Sequence, residues 1–205
     1  MDELNERDLF RVRLRFLDLS KSFFQGKPDG EKISRWRGTF SALAKESVSP
    51  GFDRVVKKLS EALNVKSLKE LQDEFYTLFI DPFDGDPVNT NASFYFDGRS
   101  FGQSLVEIRG LLDEAGLRKV NTVTEPEDSL IVMLDSFLSL VEEEKTNGGE
   151  TVKQLQSRLV SEFLYPFSEK FCDALEKNQS ADFFSICGRF LNEYLDLEKG
   201  LVCSA

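Results

Sequence analysis

The chain has 205 residues, of which 40% are hydrophobic and 30% charged, so it contains enough apolar material for a large core and is not a disordered chain. Its formal net charge of -10 disfavours general binding to nucleic acid or to an anionic membrane surface, because their phosphate groups attract Lys and Arg. No stretch approaches the roughly 20 apolar residues of a membrane span, and the first residues do not resemble a signal peptide, so we expect a cytoplasmic protein without stable membrane insertion.

Apolar residues recur at helical spacing through the first part of the chain. The first four apolar stripes run over residues 9–23, 33–43, 55–63 and 68–79. The sequence QGKPDG breaks the first stripe, and Ser67 precedes the fourth. We therefore expect four helices, with the fourth beginning at Ser67.

The helical pattern resumes near Phe101 and ends at Gly116, which suits the left-handed position that closes many helices. Thr124 and Glu127 then have the spacing of a capping box, with Pro126 in the expected first turn. The next helix is therefore predicted to begin near Thr124.

Residues 151–178 keep one apolar face, although Pro166 must kink or split the helix. A last stripe covers residues 183–197, and no stretch of the chain alternates with period two. The sequence predicts an all-α fold, a single-domain helical bundle of about eight or more helices. This domain would comprise residues 1–205, with a possible hinge at the connector 116–124. We expect the protein to be a monomer or a dimer in which two copies exchange halves.

Residues 74–102 contain eight of the chain's 24 aromatic residues, although this stretch is rich in Pro, Asp and Asn. Such polar loops usually run over the surface, where large apolar side chains are costly. We expect the loop from Asp81 to Arg99 to pack partly on the core. An apolar groove would remain against Phe75, Leu78 and Phe79.

Catalytic and metal-binding patterns are absent from the sequence. Without histidine there is no Ser-His or Cys-His pair and no imidazole ligand. Cys172, Cys187 and Cys203 are odd in number and widely spaced, which favours reduced thiols over a disulfide framework or a zinc site. We expect no enzyme activity, no cofactor and no metal. The cationic run of Arg11, Arg13 and Arg15 is interpreted as the solvated edge of the first helix.

The order of three motifs resembles a known family. FYTLF spans Phe75–Phe79, ASFYFD supplies Ser93 and Tyr95, and EPEDS spans Glu125–Ser129. This pattern is similar to that of the cytoplasmic maturation chaperones of molybdenum-containing redox enzymes, the TorD and DmsD type with its NarJ relatives. The likeness covers residues 65–198. Ser129 stands where the family has histidine, and NTNA at 89–92 replaces a Pro-Pro-Trp-Gly segment.

The resemblance implies a chaperone that binds the leader, often a twin-arginine export leader, or another segment of the catalytic subunit of a molybdopterin-dependent oxidoreductase. It would assist cofactor insertion before export or assembly. An acidic helical surface with aromatic residues suits the paired cations and apolar stretch of such a leader. The residues expected to shape or contact the partner site are Phe75, Leu78, Phe79, Pro82, Ser93, Tyr95, Glu125, Pro126, Asp128 and Ser129.

Two other functions stay open at this point. The first alternative is a helical adaptor for an unrelated cytoplasmic partner, and the second is an enzyme that uses an unrecognised site. The apolar triplet of the fourth helix is equally typical of core packing, and Glu125 and Asp128 are equally typical of a helix start.

Overall fold

A computed structural model describes residues 3–81, 83, 87–120 and 122–203. The helices are α1 Glu3–Phe24, α2 Gly30–Leu43, α3 Pro50–Val65, α4 Leu68–Phe79, α5 Ala92–Asp97, α6 Gln103–Glu114, α7 Leu130–Asn147, α8 Glu150–Arg158, α9 Tyr165–Lys177 and α10 Phe183–Cys203, with a π-helical segment, Leu159–Leu164, between α8 and α9. Within these ranges the structure contains no strand, so the all-α prediction is confirmed. None of the described helices combines the length and apolarity needed to cross a bilayer.

The chain divides into two compact units that are both discontinuous in sequence. The first unit contains the residues up to Lys21, Thr90–Ser168, and the residues from Leu195 onward. The second unit contains Ser22–Asn89 and Glu169–Tyr194. The connector 116–124 lies within the first unit. The prediction of a single domain with a hinge at this connector stays a prediction.

Local capping explains where several helices begin. Ser67 and Glu70 form a capping box, since the Ser67 hydroxyl accepts from the Glu70 N–H and the Glu70 carboxylate accepts from the Ser67 N–H. Ser49 caps α3 directly before Pro50. Gly116 has φ +70°, the left-handed conformation predicted for the residue that follows α6.

An aromatic cluster forms the core of the second unit. The Phe23 and Trp36 rings lie 5.0 Å apart, and the Phe24 and Phe171 rings lie 5.2 Å apart. Further members of this cluster are Phe40, Phe52, Phe75, Phe79, Phe183, Phe184 and Phe190. The rings meet in stacked, tilted and edge-to-face arrangements, and such contacts stabilise each pair by about 0.5–1.5 kcal/mol beyond area burial.

Arg13 is buried in the first unit, so its assignment to a solvated edge is wrong. Its guanidinium donates from Nε to both carboxylate oxygens of Glu198, at 3.2 and 3.0 Å, from Nη1 to Glu144 at 3.1 Å, and from Nη2 to Gln156 at 2.7 Å. The side chain is tolerated inside because its donors meet two carboxylates and an amide. The two flanking arginines are exposed, namely Arg11 and Arg15.

The helix that contains Pro166 is not split by a loop but changes to a π-helical turn before the proline, and the predicted kink stays a prediction. The π-helical segment Leu159–Leu164 ends two residues before this proline. Proline has no backbone N–H and its ring collides with the carbonyl of an α-helix one turn earlier, so a wider turn accommodates it. The helix therefore continues through Tyr165 without a loop.

Candidate functional site

The ASFYFD and EPEDS motifs lie in the first unit, where residues 90–93 are hydrogen-bonded to residues 128–130. Asn91 and Ser129 form an isolated antiparallel bridge. The Ala92 N–H donates to the Asp128 carbonyl, and the Leu130 N–H donates to the Thr90 carbonyl, both at 2.9 Å. We call this pairing the motif brace. It fixes the position of ASFYFD relative to EPEDS although the two motifs are far apart in the chain.

The Asp128 side chain completes the motif brace. Asp128 is fully buried, and its Oδ2 accepts from the Ser93 N–H at 2.9 Å, in the first turn of α5. Its Oδ1 and the Ser93 hydroxyl are buried without a hydrogen-bond partner among the described residues. Each buried polar atom without a hydrogen bond costs about 1–3 kcal/mol of stability. The motif brace therefore contains polar atoms whose presence is not explained by the packing of the unit.

Ser129 caps α7, since its hydroxyl accepts from the Val132 N–H at 3.3 Å. The predicted helix start near Thr124 is therefore wrong, because α7 begins at Leu130. The motif brace holds residue 129 in an extended conformation, which places the cap immediately after Asp128. Glu125 is exposed and Pro126 is half-buried, so these two residues form the solvent-accessible part of the EPEDS motif.

Tyr95 lies on α5 and is half-buried. Its ring is 5.5 Å from Phe167 and 5.2 Å from Phe94, which is 43% exposed. The stretch predicted as a loop from Asp81 to Arg99 thus contains a helix. Asp97 stabilises the end of that stretch by accepting from the Ser104 N–H at 3.0 Å.

The FYTLF motif lies in the second unit. Phe75 and Leu78 are buried in the aromatic core, whereas Phe79 is half-buried, with its ring 5.5 Å from Phe184. The Val88 N–H donates to the Leu78 carbonyl at 2.9 Å, so part of the predicted loop packs back on α4. Pro82, also predicted at the partner site, lies outside the described residues.

A cavity of about 440 Å³ lies in the first unit beside EPEDS. Arg109 donates to Glu127 at 2.9 Å at its wall, and this hydrogen bond holds the pKa of the Glu127 carboxyl below its usual value. Other residues that line the cavity are Leu112, Asp113, Leu117, Arg118, Lys119, Val120, Val123, Val132, Asp135, Ser136 and Ser139. Sequence reasoning missed this cavity, because charged residues on a helix and in a connector usually form a solvated surface.

The sequence of the chain is similar to those of known proteins. The nitrate reductase delta subunit family model matches residues 45–173, which include all three motifs. The chain is 28% identical over 195 residues to the chaperone protein TorD of Vibrio cholerae serotype O1, in three strains, with 88% of this chain and about 87% of each relative covered.

A crystal structure of a candidate redox enzyme maturation protein from Archaeoglobus fulgidus has a similar fold. Its TM-score is 0.53 at 20% identity, with 88% of this chain and 93% of that chain covered. The helical architecture is thus that of redox enzyme maturation proteins. The chain belongs to the nitrate reductase delta subunit family, the TorD and NarJ family of maturation chaperones, which are not enzymes.

Proposed function

We propose that the protein binds the leader or another segment of the catalytic subunit of a molybdopterin-dependent oxidoreductase. It acts in the cytoplasm and holds its client until the client's cofactor is inserted. The observation that carries this proposal is the motif brace, which unites two motifs of the maturation chaperones in one unit through Asp128. Family membership supports the same conclusion.

The predicted site residues take different roles in this proposal. Ser93, Asp128 and Ser129 are buried and shape the site. The exposed Glu125 carboxylate is available to pair with an arginine of a twin-arginine leader. The half-buried Pro126 and Tyr95 present apolar surface to the client beside it. In the second unit Phe75 and Leu78 support Phe79, which remains partly accessible.

The test is capture of the client from native cells with the tagged full-length protein, followed by mass spectrometry. We expect enrichment of one molybdopterin-dependent catalytic subunit. Glu125→Gln should reduce this enrichment. Glu150→Gln, which changes an exposed carboxylate at the start of α8, serves as the matched control and should not. Capture of an unrelated folded protein by parent and variant alike would favour the adaptor alternative instead.

A further inference from the structure

The start of α6 exposes two large apolar side chains. Phe101 is 70% exposed and Val106 is 57% exposed. Phe101 directly precedes Gly102, the N-cap of α6, and Val106 is the fourth residue of that helix. Apolar residues in these two positions commonly pack against each other at a helix start. We call Phe101 and Val106 the turn patch.

The turn between α5 and α6, which carries Phe101, is fixed by hydrogen bonds. The two oxygens of the Asp97 carboxylate accept from the N–H and from the hydroxyl of Ser104, each at 3.0 Å. The same carboxylate fills the space that a Cβ at Gly102 would need. Phe101 is held with φ +59°, a conformation that is unfavourable for a residue with a side chain. The turn patch is therefore ordered before a partner binds, and an ordered surface loses little entropy on association.

The charges around the turn patch balance each other, unlike those of the chain as a whole. The formal net charge is -10, so two copies of the chain repel each other unless they meet at a locally neutral surface. From Phe94 to Gly110 the charged residues are two acids and two arginines, namely Asp97, Arg99, Glu107 and Arg109. Two of these four have partners within the first unit, because Asp97 is bonded to Ser104 and Arg109 to Glu127.

Arg99 and Glu107 are the two charges at this turn that remain for a partner. Both residues are exposed. Within the described part of the chain Arg99 contacts no carboxylate, and Glu107 is bonded only to the side-chain amide of Gln103, at 3.3 Å. Arg99 precedes the turn patch in the sequence and Glu107 follows it, so opposite charges flank the two apolar residues.

We propose that the turn patch is a contact between two copies of this chain, related by a two-fold axis near Gln103. In a two-fold contact each surface meets an identical surface, so residue i of one copy contacts residue j of the other and the reverse also holds. The two apolar residues are centred near Gln103 in the sequence, and so are Arg99 and Glu107. One antiparallel arrangement therefore sets each Phe101 ring on Val106 of the second copy. The same arrangement sets each Arg99 beside Glu107 of the second copy.

The small size of the turn patch makes this dimer weak and reversible. Permanent dimers bury about 2,000 Å² or more, which two apolar side chains from each copy do not provide. The contact does not require the proposed client. It also leaves each copy intact, unlike an exchange of halves.

The experiment is sedimentation velocity of the full-length protein from about 10 μM to about 1 mM, a range suited to weak association. We expect the fraction of dimer to rise with concentration. Phe101→Gly removes the ring and keeps the positive φ of the turn, and it should weaken dimerisation at least about tenfold. Val65→Ser, which removes an exposed apolar side chain in the second unit, should dimerise like the parent.

Charge reversal tests the pairing of Arg99 with Glu107 directly. Arg99→Glu and Glu107→Arg each place like charges opposite each other and should weaken dimerisation, whereas the double variant should restore it. Defects of folding would add up in the double variant instead of cancelling. A parent that stays monomeric at the highest concentration would overturn the proposal, and so would a dimer that these variants do not weaken.

Discussion

Phe101 has a backbone conformation that is unfavourable for its residue type. Its φ is +59°, in the left-handed region, and its ring is 70% exposed. The left-handed conformation costs a non-glycine residue about 1–2 kcal/mol. We therefore expect Phe101→Gly to be more stable than Phe101→Ala by about 1 kcal/mol, because both lose the ring and only glycine relieves the strain.

Urea unfolding of both variants, followed by circular dichroism, measures this difference. Gly98→Ala is the complementary variant, since Gly98 has φ +70° and open space around its Cα, and it should lower the free energy of unfolding. Equal stability of the Gly and Ala variants at 101 would show that residue 101 is not held in the left-handed conformation.

The three cysteines differ in their expected reactivity. Cys203 is exposed, and hydrogen bonds with Ser161 and then Ser157 lower the pKa of its thiol. Burial raises the pKa of Cys172 to about 12 and also raises the pKa of Cys187. Because the thiolate is the reactive form, iodoacetamide should modify Cys203 rapidly in the native protein and the other two only after unfolding.

Mass spectrometry of the modified protein gives the position and the rate for each thiol. Cys203→Ser should abolish the rapid phase without changing the slow one. Rapid modification of Cys172 or Cys187 under native conditions would contradict the burial of these two residues.

Among single residues, the sequence predicted buried apolar positions better than the buried charged one. The inward positions of Phe75 and Leu78 follow from helical periodicity alone. Arg13 could not be predicted, because its partners Glu144 and Glu198 lie more than a hundred residues away in sequence. Helical periodicity predicts which face of a helix a residue lies on. It does not predict which charged residues from other helices will contact that residue.

Among the helices, most predicted segments are confirmed. The pattern around Ser67 correctly indicated the start of α4, and the pattern around Gly116 indicated the end of α6. The sequence could not show α5, since six helical residues are too few for a periodic signal. It also misplaced the start of α7, because Thr124 and Glu127 have the spacing of a cap while the motif brace keeps this segment outside the helix.

Glu74 on α4 caps the start of α10 within the second unit. Its Oε1 accepts from the N–H groups of Asp182 and Phe184, both at 2.8 Å, and its side chain is only 7% exposed. Glu74→Ala would remove both hydrogen bonds and leave the part-buried Phe184 N–H without this acceptor, whereas water can replace the carboxylate at the exposed Asp182 N–H, so we expect a loss of about 1–2 kcal/mol in unfolding free energy. Glu61→Ala, at an exposed position of α3, should change stability by less than about 0.5 kcal/mol.

Urea unfolding of the two variants gives both values under the same conditions. A loss for Glu74→Ala no larger than that for Glu61→Ala would mean that water replaces the carboxylate at this helix start without cost.

The ion pair between α6 and the EPEDS segment predicts a pH dependence. The hydrogen bond from Arg109 lowers the pKa of Glu127, so this pair stabilises the folded state above the ordinary glutamate pKa of about 4.3. The contribution is lost as pH falls through the lowered pKa of the folded state. The stability difference between parent and Arg109→Gln should therefore be constant from neutral pH down to about pH 5 and shrink below about pH 4.

Chemical unfolding of both proteins at several pH values tests the sign, and the difference at neutral pH should be below about 1 kcal/mol because Arg109 is half exposed. Arg99→Gln, at another exposed position, provides the control. A difference that grows on acidification would contradict the lowered pKa of Glu127.

For the molecule as a whole, the composition predicts how client binding depends on solution conditions. The chain contains no histidine, so none of its side chains has an unperturbed pKa between about 5 and 8. Affinity for a leader without histidine should change little between about pH 6 and pH 8. It should fall with rising salt, because exposed carboxylate–arginine pairs are screened.

Calorimetric titration of such a leader at two pH values and two salt concentrations measures both dependences. A large pH dependence at fixed salt would mean that a carboxylate with a strongly raised pKa contacts the leader, and a solvent-exposed contact at Glu125 would then be wrong.

The discontinuity of the two units also sets the order in which the chain can fold during synthesis. The aromatic core of the second unit needs Phe183, Phe184 and Phe190, and the buried network of the first unit needs Glu198. The second core is therefore incomplete on the ribosome until Phe190 has emerged, and the first until Glu198 has emerged. A nascent chain that ends before Phe183 therefore exposes aromatic side chains such as Phe23 and Phe75 to solvent, where such surfaces bind general chaperones or aggregate.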